Sequence, residues 1–253
     1  MSRSTWIVVL ILSLSACQSS PPSNKAESAE DRTKLAAINT QLAIEYMRDG
    51  ENELALRKLE KAIEAEPKSV DAHNTMALLH ARLGENKEAE ESFKKALSLD
   101  PVNWSALNNY GQFLCQQQRF EEGQTQFTAA LKNPLNRAPE NALANAGTCA
   151  MQAKDSATAE QRFREALQIN AQFAPALLPL ARLSFEQANF LQARAYYQRY
   201  LAVAPQSART LWLGIRIENA LDERDLMSSY VMILKNKFPD SPEYGWFQQG
   251  KFD

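Results

Sequence analysis

LAIEYMRDGENELALRKLEKAIEAEP (residues 42–67) and MALLHARLGENKEAEESFKKALSLDP (76–101) align without a gap. Apolar or small residues fall at matching places, Gly50 lies over Gly84, and Pro67 lies over Pro101, thirty-four residues away. A third copy reads YGQFLCQQQRFEEGQTQFTAALKNP (110–134). A fourth, AGTCAMQAKDSATAEQRFREALQINA (146–171), follows a two-residue slip, and a fifth is LARLSFEQANFLQARAYYQRYLAVAP (180–205). A weaker sixth covers about 207–239, with Gly214, Tyr230 and Pro239. The apolar spacing within each copy is helical. The closing proline ends the second helix of a copy, because it lacks an N–H and restricts the residue before it.

A helical repeat of this length resembles the tetratricopeptide repeat, a two-helix hairpin. The resemblance implies an all-α fold, a right-handed superhelical solenoid of about six hairpins over residues 35–245. Small residues recur where two helices cross: Ala77, Ala89 and Ala96, then Gly111, Gly123 and Ala130, then Gly147, Ala159 and Ala166. A large side chain there would push the helices beyond packing distance. Phe93, Phe127, Phe163 and Tyr197 recur where the second helix needs a bulky knob. Ala171 replaces the terminal proline and Tyr200 replaces a small residue, so less regular packing is expected at those two joints. One hairpin cannot bury its own apolar stripe; stacked hairpins share a continuous core and curve. The first helix of each pair should line the inner groove. Extrapolated along the repeat, the lining is Ile44, Met47, Asn74, Leu78, Asn108, Gln112, Cys115, Met151, Arg182 and Phe185.

The chain start reads differently. Arg3 is followed by the apolar run Trp6–Leu14, interrupted only by Ser13, and then by Leu14-Ser15-Ala16-Cys17. Such a run is too short to span a bilayer but suits the core of an export signal. The Leu-Ser-Ala-Cys order resembles the bacterial lipobox. That resemblance implies a signal peptide over 1–16, removal before Cys17, and acylation of Cys17 as a lipid anchor. Gln18, where inner-membrane lipoproteins carry Asp, favours the outer membrane by the same resemblance. Residues 18–33 contain no large apolar side chain, so a flexible tether is expected over 17–34, with a tail at 246–253.

Composition narrows the chemistry. The net charge is −2 over 253 residues, with no basic stripe interleaved with aromatics, so no nucleic-acid partner is expected. No Gly-rich phosphate loop, G-x-S-x-G, H-E-x-x-H or C-x-x-C is present. Thirty acidic residues are scattered over helix faces, often beside lysine, as in EESFKKAL, which reads as a solvated surface. His73 and His80 are the only histidines. Two helical turns apart, about 10 Å, they cannot share one metal ion, and they read as half-buried fillers. No catalytic residue, metal, cofactor or small-molecule substrate is assigned, and the protein is expected not to be an enzyme. Cys115 and Cys149 lie on first helices of neighbouring repeats. Helix axes 8–10 Å apart and a two-place offset between the cysteines predict two free thiols.

The lipobox, the polar tether and about six repeats together resemble the type IV pilus biogenesis lipoproteins, the PilF/PilW-type pilotins. Within ALNNYGQFLCQQQRFEEGQTQF (106–127), Asn108, Asn109, Tyr110, Gly111, Phe113 and Leu114 match that family's N-N-Y-G-x-F-L pattern. Leu213, Gly214, Ile215 and Arg216 match its L-G-I-R stretch. The resemblance implies an adaptor on the periplasmic face of the outer membrane that binds secretin subunits and promotes their assembly. A lipoprotein scaffold for another envelope complex, in cell-wall synthesis or outer-membrane assembly, is the alternative. Two partner-binding regions are candidates: the apolar end of the array at Leu42, Ile44, Tyr46 and Met47, and the amide-lined groove at Asn74, Leu78, Asn108 and Gln112.

Overall fold

The computed structural model describes residues 28–252. The expected signal peptide and Cys17 lie outside the described residues, as does most of the expected tether. Thirteen helices and no strand are found among the described residues. Six hairpins follow in order. They are α1 (Ala29–Asp49) with α2 (Asn52–Ala65), α3 (Val70–Leu83) with α4 (Asn86–Leu99), and α5 (Trp104–Gln116) with α6 (Phe120–Lys132). Then come α7 (Pro139–Gln152) with α8 (Ser156–Ile169), α9 (Ala174–Glu186) with α10 (Phe190–Leu201), and α11 (Ala208–Ala220) with α12 (Arg224–Lys237). A short helix, α13 (Pro242–Gln248), closes the array against α11 and α12. Each helix packs on its hairpin partner, and each first helix also packs on the hairpin before it. The result is the tetratricopeptide-repeat solenoid.

Two boundaries differ from the sequence expectation. Helix starts at Ala29, inside the expected tether, because Ser28 and Asp31 form a reciprocal capping box. At the other end the expected tail is packed: Trp246 and Phe252 both lie against Trp212.

The turn inside each hairpin needs one left-handed residue. Gly50 (φ 85°) and Gly84 (φ 79°) supply it in the first two hairpins. Gln118, Lys154, Ala188 and Asp222 take the same conformation, at φ 55–61°, in the other four. This explains why the glycine signal fades after repeat two while the fold does not. Small residues at the helix crossings are required by space. A Cβ on Gly123 would stand 2.3 Å from Cys115 Sγ and 2.9 Å from the Gly111 carbonyl oxygen.

Contacts between successive first helices are sparsest at the two joints expected to be less regular, α7 on α9 and α9 on α11, and local hydrogen bonds tie each of them. At Ala171 the preceding residue substitutes for proline: Asn170 Oδ1 accepts from the Gln172 N–H at 3.0 Å, as Asp100 Oδ1 accepts from Val102 at 3.2 Å. Tyr200 is buried, and its hydroxyl donates to the Pro205 carbonyl at 3.2 Å. The two-residue slip is absorbed in the loop 133–138, where Asn136 donates to the Ala130 carbonyl and accepts from Ala138 N–H.

Cys115 and Cys149 are joined by a disulfide, with Cα atoms 5.6 Å apart, which corrects the expectation of free thiols. Axis separation is the wrong gauge. Each Cα lies about 2.3 Å off its axis, so facing Cα atoms on packed helices are only about 4–5 Å apart. The two-place offset corresponds to about 200° of helix rotation. It turns Cys115 forward on α5 and Cys149 backward on α7, toward each other.

Charged groups bridge the hairpins. Arg119 holds Glu122 with two nitrogens, at 2.6 and 2.7 Å, and Glu90 with a third at 2.8 Å. Lys94 and the Tyr110 hydroxyl also donate to Glu90, at 2.8 and 3.1 Å. Hydrogen bonds from Lys94 and Arg119 lower the Glu90 carboxyl to about 2, and burial lifts Tyr110 to about 12. In the last hairpins Arg194 pairs with the fully buried Glu218 at 2.5 Å and with Glu223 at 3.4 Å.

Two predictions follow. Closing a loop of thirty-four residues is worth about 3–4 kcal/mol in the chain-entropy account. Urea unfolding of the Cys115→Ala, Cys149→Ala protein should show a loss of that order, and the variant should be insensitive to reductant, unlike the parent. Glu90, whose carboxyl is more acidic folded than unfolded, stabilises fully above the unfolded value near 4.5. That stability is lost as pH falls toward about 2. Glu90→Gln should therefore flatten the melting-temperature decline in this window; an unchanged slope contradicts the assignment.

Candidate partner-binding groove

The groove is built on the first helices. α1, α3 and the start of α5 enclose a cleft of about 630 Å³, lined by Thr40, Gln41, Ile44, Asn74, Thr75 and Ser105 among others. Hydroxyls on its floor are satisfied inside their own helices: Thr40 donates to the Ala36 carbonyl and Thr75 to the Asp71 carbonyl, both at 2.8 Å. Asparagines then link helix to helix. Asn109 Nδ2 donates to Asn74 Oδ1 at 3.2 Å, and Asn145 Nδ2 to Asn108 Oδ1 at 3.1 Å. Asn108 and Asn109 touch at 3.5 Å. The contacts form a carboxamide row across α3, α5 and α7. A carboxamide both donates and accepts, so such a row can hydrogen-bond an extended backbone whatever its side chains.

The structure divides the predicted residues. Ile44, 44% exposed, and Asn74 line the cleft together. Asn108 belongs to the amide row and Gln112 is exposed one turn along. Tyr46 and Met47 are half-buried against Ala43, Ala55, Leu59 and Met76, so most of their apolar surface packs α1 on α2 and α3. Leu78 is half-buried against the Phe93 cluster. Leu42 sits on the opposite flank of α1 with Leu35 and Ile38, all exposed. One residue from each of the two regions, Ile44 and Asn74, thus lines the cleft, while Leu42, Tyr46, Met47, Leu78, Asn108 and Gln112 do not. Among the expected lining residues, Cys115 is buried in the disulfide and Phe185 lies under the Arg216 guanidinium at 4.6 Å.

The ionisable groups with clear shifts stand in the networks between hairpins, at helix caps or, for Tyr197 and Tyr230, in the buried core, and none lines this cleft. His73 Nε2 contacts the Pro67 carbonyl at 3.0 Å and His80 Nδ1 contacts Glu85 at 2.6 Å, both as half-buried side chains. Among the described residues no three His, Cys, Asp or Glu side chains gather as a metal site, and no helix is long and apolar enough to cross a membrane. Arg182 and Phe185, expected to line the groove, lie in a second cleft on α9 and α11, whose aromatic wall continues to Trp246 and Phe252. Sequence reasoning did not separate this cleft from the rest of the groove, and the aromatic run in EYGWFQQGKF (243–252) is the signal for its closing wall.

Comparison with known proteins agrees with this geometry. Tetratricopeptide-repeat family models match residues 40–103, 74–122, 114–175 and 150–211. The type IV pilus assembly protein PilF of Pseudomonas aeruginosa is 33% identical over 249 residues, 98% of this chain and 99% of that protein. The solved structure of Pseudomonas aeruginosa PilF has a TM-score of 0.77 at 34% identity, covering 87% of this chain and 99% of that one. The structure of PilW, described as a widely conserved type IV pilus biogenesis factor, has the same TM-score at 33% identity, covering 85% and 99%. A repeat solenoid that matches PilF from end to end, in sequence and in fold, belongs to the PilF/PilW family of tetratricopeptide-repeat proteins.

Proposed function

We propose that this protein is a type IV pilus assembly factor of the pilotin kind. It is a lipid-anchored adaptor on the periplasmic face of the outer membrane that binds secretin subunits and promotes their assembly into the ring. The observation that carries the reading is the match to PilF over 98% of the chain. Three features support the finer parts. The Leu14-Ser15-Ala16-Cys17 order supports acylation at Cys17. The Cys115–Cys149 bridge is of a type that persists in oxidising compartments. The cleft, and the amide row that leads away from it at Asn74, suit an extended segment of a protein partner.

The division of labour is physical. Acyl chains fix the location, since each buried CH₂ contributes about 0.8 kcal/mol. The polar segment after Cys17 gives reach, and the cleft gives recognition. A partner caught near the membrane gains effective concentration without further contacts.

The test is secretin co-purification from solubilised membranes with two variants. Ile44→Asp places a charge on an exposed position in the cleft, so folding should survive. Asn108→Asp keeps the acceptor used by Asn145 and removes the donor. Each should reduce recovered secretin, Ile44→Asp by about tenfold or more, the scale of one interface hot spot. Full recovery with both folded variants would contradict docking in this cleft.

A further inference from the structure

The second cleft, between α9 and α11, differs in chemistry from the first. Its apolar part is formed by Phe185, Trp212 and Leu213. Three arginines line it, Arg182, Arg209 and Arg216, against one carboxylate, Glu186. Glu186 meets only Arg182, at 3.6 Å. Arg209 has no ion pair among the described residues. The balance at the cleft is therefore two positive charges in excess. The volume, about 230 Å³, falls below the roughly 300–1,000 Å³ of small-molecule sites. It suits one bulky side chain rather than a whole cofactor.

The protein itself shows how this wall receives an extended chain. Phe252 stacks on Trp212 with ring centroids 5.7 Å apart and planes 17° apart. The Phe252 carbonyl accepts from Arg216 Nε at 3.0 Å. One ring lies on the indole and one oxygen on the guanidinium. Beside this contact the cleft and the side chains of Arg182 and Arg209 stay accessible.

We propose that the α9–α11 cleft is a second peptide-docking site, which takes an extended acidic segment of a partner protein through one aromatic anchor flanked by carboxylates. The anchor sits against Leu178, Pro179 and Phe185, the half-buried apolar side chains of the cleft, and the carboxylates pair with Arg209 and Arg182. Guanidinium–carboxylate pairs are bidentate and directional, which fixes the register of the segment. A flat anionic bilayer is the weaker fit, because the residues lie on first helices, inside the curve of the array.

The site does not depend on the secretin reading, and its test uses a synthetic probe. A short fluorescein-labelled peptide with Phe and Trp set between Asp and Glu residues is titrated with the purified full-length protein in detergent and read by anisotropy. Saturable binding is expected. Arg209→Glu and Arg182→Glu, both on exposed side chains, should each weaken it by about tenfold, the effect of losing one good charged contact. Replacing the probe's aromatics by Ser, or its acids by Lys, should abolish binding. Ile44→Asp should leave it unchanged, which separates this site from the first cleft. No binding, equal binding of the Lys probe, or unaltered affinity in both arginine variants would overturn the proposal. So would Arg209-dependent binding of phosphatidylglycerol vesicles with none of the peptide.

Discussion

The structure rests on close packing between each first helix and the hairpin before it. One place on that helix shows the constraint. Ala72, Ala106, Ala142 and Ala176 recur there and are all at most 2% exposed. No larger side chain recurs, because the helix must approach two neighbours at once. A hairpin with no neighbour cannot bury its stripe, and α1 shows it. Ile38 occupies the alanine place and stays 57% exposed, with Leu35 and Leu42 beside it. Curvature, the inner groove and the row of first helices that lines it all follow from repeating this one contact.

On that frame, polar groups do two different jobs. Between hairpins, charges are clamped: Arg119 with Glu90 and Glu122, and Arg194 with Glu218 and Glu223. Arg119–Glu90 and the two Arg194 pairs join successive repeats, and truncating one partner of a buried pair such as Arg194–Glu218 would leave an uncompensated charge. On the inner surface, amides and hydroxyls are neutral and partly satisfied, so they can exchange partners at little cost. The disulfide adds a covalent link between the third and fourth hairpins, near the C-terminal ends of α5 and α7 and at the far end of α7 from the loop that carries the two-residue slip.

Repeat length, hairpin count and the bulky knobs were legible because each is a spacing, and spacing survives substitution. Phe93, Phe127, Phe163 and Tyr197, named from sequence, are at most 1% exposed. What failed depends on direction in space. The disulfide was misjudged because a helical offset was read as separation, when on facing helices it brings side chains together. Tyr46 and Met47 looked like surface because nothing in a single repeat says which flank packs on the next. The αL turns at Gln118, Lys154 and Ala188 were hidden because those residues carry no glycine signature. The closing aromatics were treated as tail because they follow the last repeat, yet Trp246 and Phe252 complete the wall at Trp212.

A groove can serve pilus assembly only where its partner is, so location is the claim on which the functional account turns. Its residues, Leu14 to Cys17, precede α1 in the sequence and lie outside the described residues, so none of the packing contacts described above involves the thiol. The direct measurement is density-gradient fractionation of the envelope from cells carrying Cys17→Ala, with the secretin followed in each fraction. The account predicts that the variant leaves the outer membrane and that secretin multimers there fall sharply. An undiminished secretin ring in the outer membrane, with the variant free of lipid, would contradict it.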